Sequence, residues 1–376
     1  MSEEKTAMRK IVAVDFYDLI IQQHQLYSEE DIDALFRSYA SLGIDTVMWR
    51  VSVCGLLLYR TQTPDIVVPV PNRIDSPGLA KAAELLKNYD PAETAVRCGK
   101  KYGIKVLFWL TLYDDNGLEI NDPMEAHICK EKPHLCWRSK DGREYFHGIL
   151  SYAYPEVVEF RMRQIRELLA YGADGLYLCN RSHSRPRLLQ EAIRDGLHKK
   201  DRKAYSALFE SEYKRCRGFF GYDPPALETY TGDLDDDEAW QKHRGKYFIN
   251  FMEKVRAVTP GEIWFGLRTQ YGLGSFIYGK HFFDWDRLTD RSITDGLIYE
   301  LQIPDFDKEE DFPEFYRETA SEKYFWFNLN SKTPDTTLRI HAECLERWRP
   351  RLDGIVMFEA FDMTYNPQYR EFIRNF

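Results

Sequence analysis

The stretch PEVVEFRMRQIRELLAYGADGLYLCNRS (155–182) holds two elements that differ in period. Pro155 to Gly172 has a proline in its first turn, apolar residues at helical spacing and a closing glycine, which together predict a helix. Two residues later GLYLCNRS (175–182) is a short apolar run of strand length. A helix that feeds directly into a buried strand is half of a βα repeat, so the rest of the chain must show whether the repeat continues.

It continues in both directions. Upstream, the strand KIVAVDF (10–16) is followed by the helix SEEDIDALFRSYASLG, which opens on a Ser-x-x-Asp cap signal and ends on glycine. TVMWRVS (46–52), the helix PAETAVRCGKKYG and KVLFWLTLYD (105–114) come next, and a long loop covers 115–154. Downstream of strand four an insertion runs from about 183 to 235. The helix DDEAWQKHRGKYFINFMEKVRAV then leads to IWFGLRTQ (263–270). GLIYELQ (296–302), KYFWFNLN (323–330), the helix TPDTTLRIHAECLERW and GIVMFEAFDM (354–363) complete the series. Eight strands with helices between them predict an α/β fold, a closed (β/α)8 TIM barrel with long loops after strands three, four and five. The expected organisation is one barrel domain over 1–376, with insertions at about 115–154 and 183–235. A doubly wound sheet is the competing architecture, and no GxGxxG or GxxxxGK[ST] follows the first strand to support its nucleotide-binding form.

Composition narrows the function classes. The chain has 376 residues, 44% hydrophobic and 30% charged, with a formal net charge of -9. That balance argues against a nucleic-acid or anionic-membrane partner, which would reward a basic surface. Apolar runs stay below the roughly 18–20 residues that span a bilayer. The start, MSEEKTAMRK, lacks a secretory apolar core, so the expected location is cytoplasmic, or periplasmic or secreted if a signal was removed. Seven cysteines at 54, 98, 129, 136, 179, 216 and 344 are odd in number and scattered, which fits reduced, buried thiols. There is no CxxC or HExxH, and the expectation is no metal and no cofactor. An aromatic content of 15%, with 24 Tyr and 8 Trp, is compatible with sugar-stacking surfaces as well as with core.

Barrel enzymes carry their chemistry at the C-terminal ends of the strands. Parity along each strand selects residues for the barrel axis. Strand one offers Asp15. Met48, Arg50 and Ser52 share a face on strand two, and Leu176 and Leu178 go with Asn180 on strand four. Arg268 and Gln270 share a face on strand five, with Gly266 before them leaving room. Ile298, Glu300 and Gln302 go together on strand six, Trp326 with Asn328 on strand seven, and Met357 with Glu359 on strand eight. Two carboxylates on different strands suit glycosidic cleavage: one protonates the leaving oxygen and the other is nucleophile or base. Glu300 and Glu359 are that candidate pair, and the competing reading for each is an ion pair with Arg50 or Arg268. Asp114, Asp115 and Asp362 are spare carboxylates.

Asp15, Arg50, Asn180, Arg268, Gln270 and Asn328 are candidates for positioning sugar hydroxyls or an acidic substituent. Arg181 and Arg185 with His183 among them extend a basic cluster that matches carboxylate or sulfate oxygens, so an anionic saccharide is one hypothesis. Trp49, Trp109 and Tyr271 are candidate stacking surfaces, with core as the alternative for the two tryptophans. Cys179 reads as a buried structural thiol, since parity turns it away from Asn180.

Scattered pieces of the chain are similar to the glycosyl-hydrolase-like family ten barrels of bacteria. They are DTVMWRVSVCGLLLYRT around strand two, YPEVVEFRMRQIRELLAYGADGLYL into strand four, FGYDP (220–224), Trp240 with Arg244, and TDGLIYELQ. In that family a glutamine commonly stands near the position of Glu300. The resemblance implies a (β/α)8 fold and action on glycosidic bonds. It also exposes a departure. The family's fourth strand usually runs Asp-Gly-x-x-x-Asp, whereas here Asp174-Gly175 is kept and Cys179, Asn180 and Arg181 stand where the acids would be. The expected activity is therefore glycoside hydrolysis of an oligo- or polysaccharide through Glu300 and Glu359, with carbohydrate as partner and a homo-oligomer allowed. The alternatives are a catalytically silent sugar-binding barrel, or a uronate lyase or isomerase with His183 or Tyr271 as base.

Overall fold

The computed structural model describes residues 8–21, 28–69, 76–117, 123–216, 218–267, 285–288, 292–299, 319–329, 333–358 and 360–375. Eight parallel strands close into a barrel: β1 (Arg9–Val14), β2 (Thr46–Arg50), β3 (Lys105–Thr111), β4 (Gly175–Cys179), β5 (Glu262–Leu267), β6 (Gly296–Tyr299), β7 (Glu322–Asn328) and β8 (Gly354–Phe358). Each strand pairs with its neighbours in the series, and β8 closes on β1 with Arg9 opposite Gly354. All eight strands expected from the sequence are present, so the (β/α)8 reading stands.

The helices start and stop where the side chains dictate. In α1 (Glu29–Ser41) the Ser28 hydroxyl accepts from the Asp31 amide and the Asp31 carboxylate accepts from the Ser28 amide, a reciprocal capping box. In α2 (Pro91–Tyr102) Asp90 caps the first turn, Pro91 opens it and Gly103 ends it in the left-handed region at φ 69°. Pro155 opens α3 (Pro155–Ala170). The loop over 115–154 carries a short helix (His127–Glu131) and a two-stranded ribbon (Cys136–Arg138 with Tyr145–Leu150). The 183–235 segment carries helices at Arg187–Arg194, Leu197–Lys200, Arg202–Cys216 and Pro224–Thr229. The long helix α4 (Asp237–Val258) follows.

The strands are buried on both faces, and the two faces differ in what fills them. Ile11, Ala13, Met48, Leu107, Trp109, Tyr177, Cys179, Trp264, Ile298, Tyr324, Trp326, Val356 and Phe358 form one cluster, the barrel interior. Val12, Val47, Trp49, Phe108, Leu176, Leu178, Phe265, Phe325, Ile355 and Met357 belong to the larger core between strands and helices. The interior is filled by rings: Trp109 lies edge-on to Trp326 at 5.6 Å, and Trp326 lies 5.0 Å from Phe358. Gly266 makes room for one of them, since a Cβ there would sit 2.1 Å from the Tyr177 hydroxyl. At the N-terminal face Arg9 plugs the barrel, bonding Glu262 (3.0 Å), the Tyr324 hydroxyl (3.1 Å) and Thr46 (3.0 Å) while stacking on Trp264. A charge network therefore closes the N-terminal end of the barrel.

Several parity assignments are corrected here. On β4 the axis-facing residues are Tyr177 and Cys179, and Leu176 and Leu178 face the helices, the reverse of the sequence reading. On β8 Val356 and Phe358 face the axis and Met357 does not. The assignments on β2 (Met48), β6 (Ile298) and β7 (Trp326) agree with the structure.

The FGYDP stretch with Trp240 and Arg244 forms an architectural latch. Arg244 donates to the Phe220 carbonyl at 3.1 Å and lies over the Trp137 ring at 4.5 Å. Gly221, at φ 97°, has no space for a side chain, because a Cβ would fall 1.6 Å from the Arg244 guanidinium. Tyr222 stacks on Trp240 at 5.1 Å, and the Asp223 carboxylate accepts from the Arg138 amide at 2.8 Å.

Candidate active site

The C-terminal ends of β1 to β4 bring a chain of buried charges together. Asp15 follows β1 directly and also caps the short helix Phe16–Ile21, its carboxylate accepting from the Asp18 amide. The Arg50 guanidinium, at the end of β2, donates to Asp15 through Nη1, and its Nη2 lies 3.6 Å from Asp114 Oδ2. Asp114, three residues past β3, accepts from the backbone amides of His183 (2.5 Å) and Cys54 (3.2 Å) and bonds His183 Nδ1 at 2.9 Å. Cys54 itself sits at φ 48°, an uncommon conformation for a residue with a side chain, and so brings its amide to Asp114.

The electrostatics follow from burial and partners. Burial opposes the charge on Asp114, but the His183 ring and the Arg50 guanidinium outweigh it and hold this carboxyl below its ordinary range. Burial likewise opposes the Arg50 charge, and Asp15 and Asp114 overcome it, keeping the guanidinium protonated. One guanidinium faces two carboxylates, so the cluster of Asp15, Arg50 and Asp114 carries one excess negative charge when all three are ionised.

Beside the mouth, Asp115 turns the other way into a fully buried pair with Arg161 of α3, which also bonds Gln164 (2.9 Å) and the Leu112 carbonyl (3.2 Å). Burial pushes the Asp115 carboxyl up to about 7 against the attraction of Arg161. Arg161→Leu removes that attraction and so raises the Asp115 carboxyl further; the cost is expected to reach about 3–5 kcal/mol as pH rises above 7, where the variant must hold a proton or bury a lone charge. A raised carboxyl favours the folded state only while it keeps its proton, so the loss should shrink as pH falls below about 7. Urea midpoints at pH 8 and pH 5.5 check this; an equal loss at both would refute it.

The remaining candidates divide by placement. Arg181 follows Cys179 at the end of β4, with its guanidinium 5.2 Å from the Phe358 ring and 5.7 Å from the Trp109 ring. Arg50 covers Trp109 from 5.1 Å. Trp109 is therefore the buried floor of the mouth beneath two cations, its Nε1 donating to Cys179 Sγ at 3.2 Å. Trp49 faces the opposite way, fully buried against Phe16 (5.3 Å) and Phe36 (6.1 Å), so it is core and offers no stacking surface. Arg185 is spent on the His183 and Ser184 carbonyls. Asn328 is exposed at the end of β7, its Oδ1 accepting from Trp326 Nε1 at 3.2 Å. Asn180 is fully buried, and neither of its amide atoms has a hydrogen-bond partner among the described residues. Arg268, Gln270, Tyr271, Glu300 and Glu359 lie outside the described residues, as does Gln302.

The sequence reading ranked Asp114 only as a spare carboxylate and did not single out Cys54. The available signal was the position of Asp114 just past an eight-residue apolar run; its pairing with His183, 69 residues on, left no mark in the sequence. Cys54 Sγ, an Asp114 oxygen and a His183 nitrogen lie within 4.8 Å of one another, so the arrangement could also hold a cation.

No family model matches the chain, and no curated protein matches it. Among solved structures it is similar to alpha-L-fucosidase isoenzyme 2 from Paenibacillus thiaminolyticus, with a TM-score of 0.55 and 12% identity over 98% of this chain and 48% of that one. Weaker likenesses are a GH20 exo beta-N-acetylglucosaminidase from Vibrio harveyi (TM-score 0.49, 11% identity, 98% of this chain and 54% of that one) and the catalytic domain of beta-amylase from Paenibacillus polymyxa (TM-score 0.47, 9% identity, 98% and 97%). The chain spans about half the length of the first two. At 12% identity the fucosidase likeness is one of fold, and it agrees with the closed eight-stranded barrel. Among the described residues no helix is long and apolar enough to cross a membrane.

Proposed function

We propose that this chain is a carbohydrate-active (β/α)8 enzyme, a glycoside hydrolase acting on an oligo- or polysaccharide. The observation that carries the reading is the mouth itself: buried Asp15, Arg50 and Asp114, with the Arg181 guanidinium over Trp109, converge where barrel enzymes bind substrate. The likeness in fold to a fucosidase fits this substrate class. Glu300 and Glu359 are the proposed catalytic carboxylates, with Asp15, Asn180, His183, Arg268, Gln270, Tyr271 and Asn328 around the sugar.

In the anionic-substrate version Arg181 and Arg268 are the proposed contacts for an acidic group; Arg50 already faces two carboxylates, and Arg185 donates to the His183 and Ser184 carbonyls. A panel of neutral, uronic and sulfated oligosaccharides, read by reducing-end release and by calorimetric binding, tests both parts. Release from any member supports the hydrolase; a preference of tenfold or more for acidic members supports the anionic version. Binding without release would make the chain a sugar-binding barrel, and neither binding nor release across the panel would overturn the proposal.

A further inference from the structure

The fourth strand lacks the acids that its resemblance leads one to expect, yet a proton-handling group stands just beyond it. His183 is fastened to Asp114 twice, through its backbone amide at 2.5 Å and through Nδ1 at 2.9 Å. Asp114 is fully buried, and as a carboxylate held below its ordinary range it only accepts. The proton between them therefore sits on Nδ1, which fixes the neutral tautomer and leaves the Nε2 lone pair as the ring's acceptor. Nε2 makes no hydrogen bond among the described residues, and the His183 side chain is 21% exposed while its partner is 0% exposed. The ring is thus tied to Asp114, the carboxylate that Arg50 also approaches, while part of its surface stays exposed.

We propose that His183 Nε2 is the proton acceptor for the water that attacks the sugar, with Asp114 as its positioning residue. This rests on the hydrolase reading of the same mouth. In the step, the water oxygen forms a bond to the anomeric carbon, and one water proton passes to Nε2. The bond from that carbon to the departing oxygen breaks with its electron pair on that oxygen, which takes a proton from the carboxylic acid of the hydrolase reading, either in this step or in an earlier one that leaves the sugar as a glycosyl-enzyme ester. The imidazolium returns its proton through solvent to that acid, so the net reaction adds one water across the glycosidic bond. Electrostatics favour this placement. Asp114 accepts from His183 and also lies beside the Arg50 guanidinium, so an imidazolium formed at Nε2 stays in direct contact with a buried carboxylate. The arrangement is the general one in which a buried carboxylate orients a histidine and stabilises its cation.

The test has two arms on the full chain. In the first, ring-nitrogen NMR of histidine-labelled protein should show the neutral form of His183 carrying its hydrogen on Nδ1, and Asp114→Asn should mix the tautomers. A neutral form with its hydrogen on Nε2 in the unsubstituted protein overturns the proposal. So does stoichiometric capture of added zinc chloride that shifts the His183 signals and is lost in Cys54→Ala, since Cys54 and Asp114 complete a cation site with His183. In the second arm, on a saccharide that the chain cleaves, His183→Ala should lower kcat about 10²–10⁴-fold with little change in KM. Added imidazole should restore part of the loss, and His183→Gln should fall equally but stay unrescued. Unchanged kcat, or a loss confined to KM, overturns the proposal. If the chain cleaves nothing on the panel, the hydrolase reading fails, and the NMR arm still decides whether the dyad exists.

Discussion

Arg50→Met is expected to lower stability by about 3–5 kcal/mol at neutral pH, and most of that loss should return on mild acidification. The side chain is nearly isosteric along its stem, so packing over Trp109 is largely kept and the change isolates the charge. Without the guanidinium, Asp15 and Asp114 lose the buried cation they share, and removing one partner of a buried ion network leaves an uncompensated charge. The sign with pH follows. In the unsubstituted chain Asp114 lies below its ordinary range, so it contributes stability that is present at neutral pH and lost only as pH falls through its low folded value. In the variant that contribution goes, and the folded state relieves the uncompensated charge by holding a proton that the unfolded chain releases. The gap between the two proteins should therefore be widest near pH 7.5 and narrow towards pH 5. Urea midpoints at both values measure it, and Asp15→Asn added to Arg50→Met should recover part of the loss. A gap independent of pH would mean that Arg50 matters as packing.

What could be read from the sequence, and what could not, follows from the kinds of signal involved. The strands were legible because each is a short apolar run bounded by turn or cap residues, and these are local features. Which face of a strand meets the axis was legible on β2, where Met48 and Arg50 alternate with Trp49, and on β6 and β7. It was not legible on β4 and β8. There both faces are apolar, so Leu176-Tyr177-Leu178-Cys179 and Val356-Met357-Phe358 contain no polar alternation to fix the parity. The barrel's own preference was the missing rule, since rings fill much of its interior, and the aromatic residue points inward in β4 and β8. The site was half legible for a similar reason. Asp15 and Arg50 announce themselves by position at strand ends, whereas the Asp114–His183 bond joins two loops and depends on Cys54 and the His183 backbone to hold the carboxylate. Trp49 misled because a tryptophan at a strand end looks alike from either face; its rings for company are Phe16 and Phe36 on the helical side.

Glu300→Gln is expected to reduce turnover about 10²–10⁴-fold, the range for loss of a positioned acid or base, with folding intact. Glu300 falls two residues beyond Ile298, whose side chain faces the axis and whose strand pairs with Gly266 and Tyr324 on either side. Glutamine keeps the size and the hydrogen-bonding capacity at that position but removes the proton, so a loss in kcat separates chemistry from binding. Glu359→Gln is the more discriminating variant. Its strand neighbour Phe358 faces the axis and Met357 does not, so strand parity no longer argues for Glu359 as the sequence reading had it, and the helix Ala360–Tyr365 begins at the next residue. On the two-carboxylate proposal both variants lose turnover by similar factors, and a small azide or formate nucleophile rescues only the one that removes a nucleophile or base. Full activity in both would end the carboxylate assignment. Loss in Glu300→Gln alone would leave one carboxylic acid to protonate the leaving oxygen and hand the base to His183, so the Glu359 variant also decides whether the dyad at strand four is needed for chemistry.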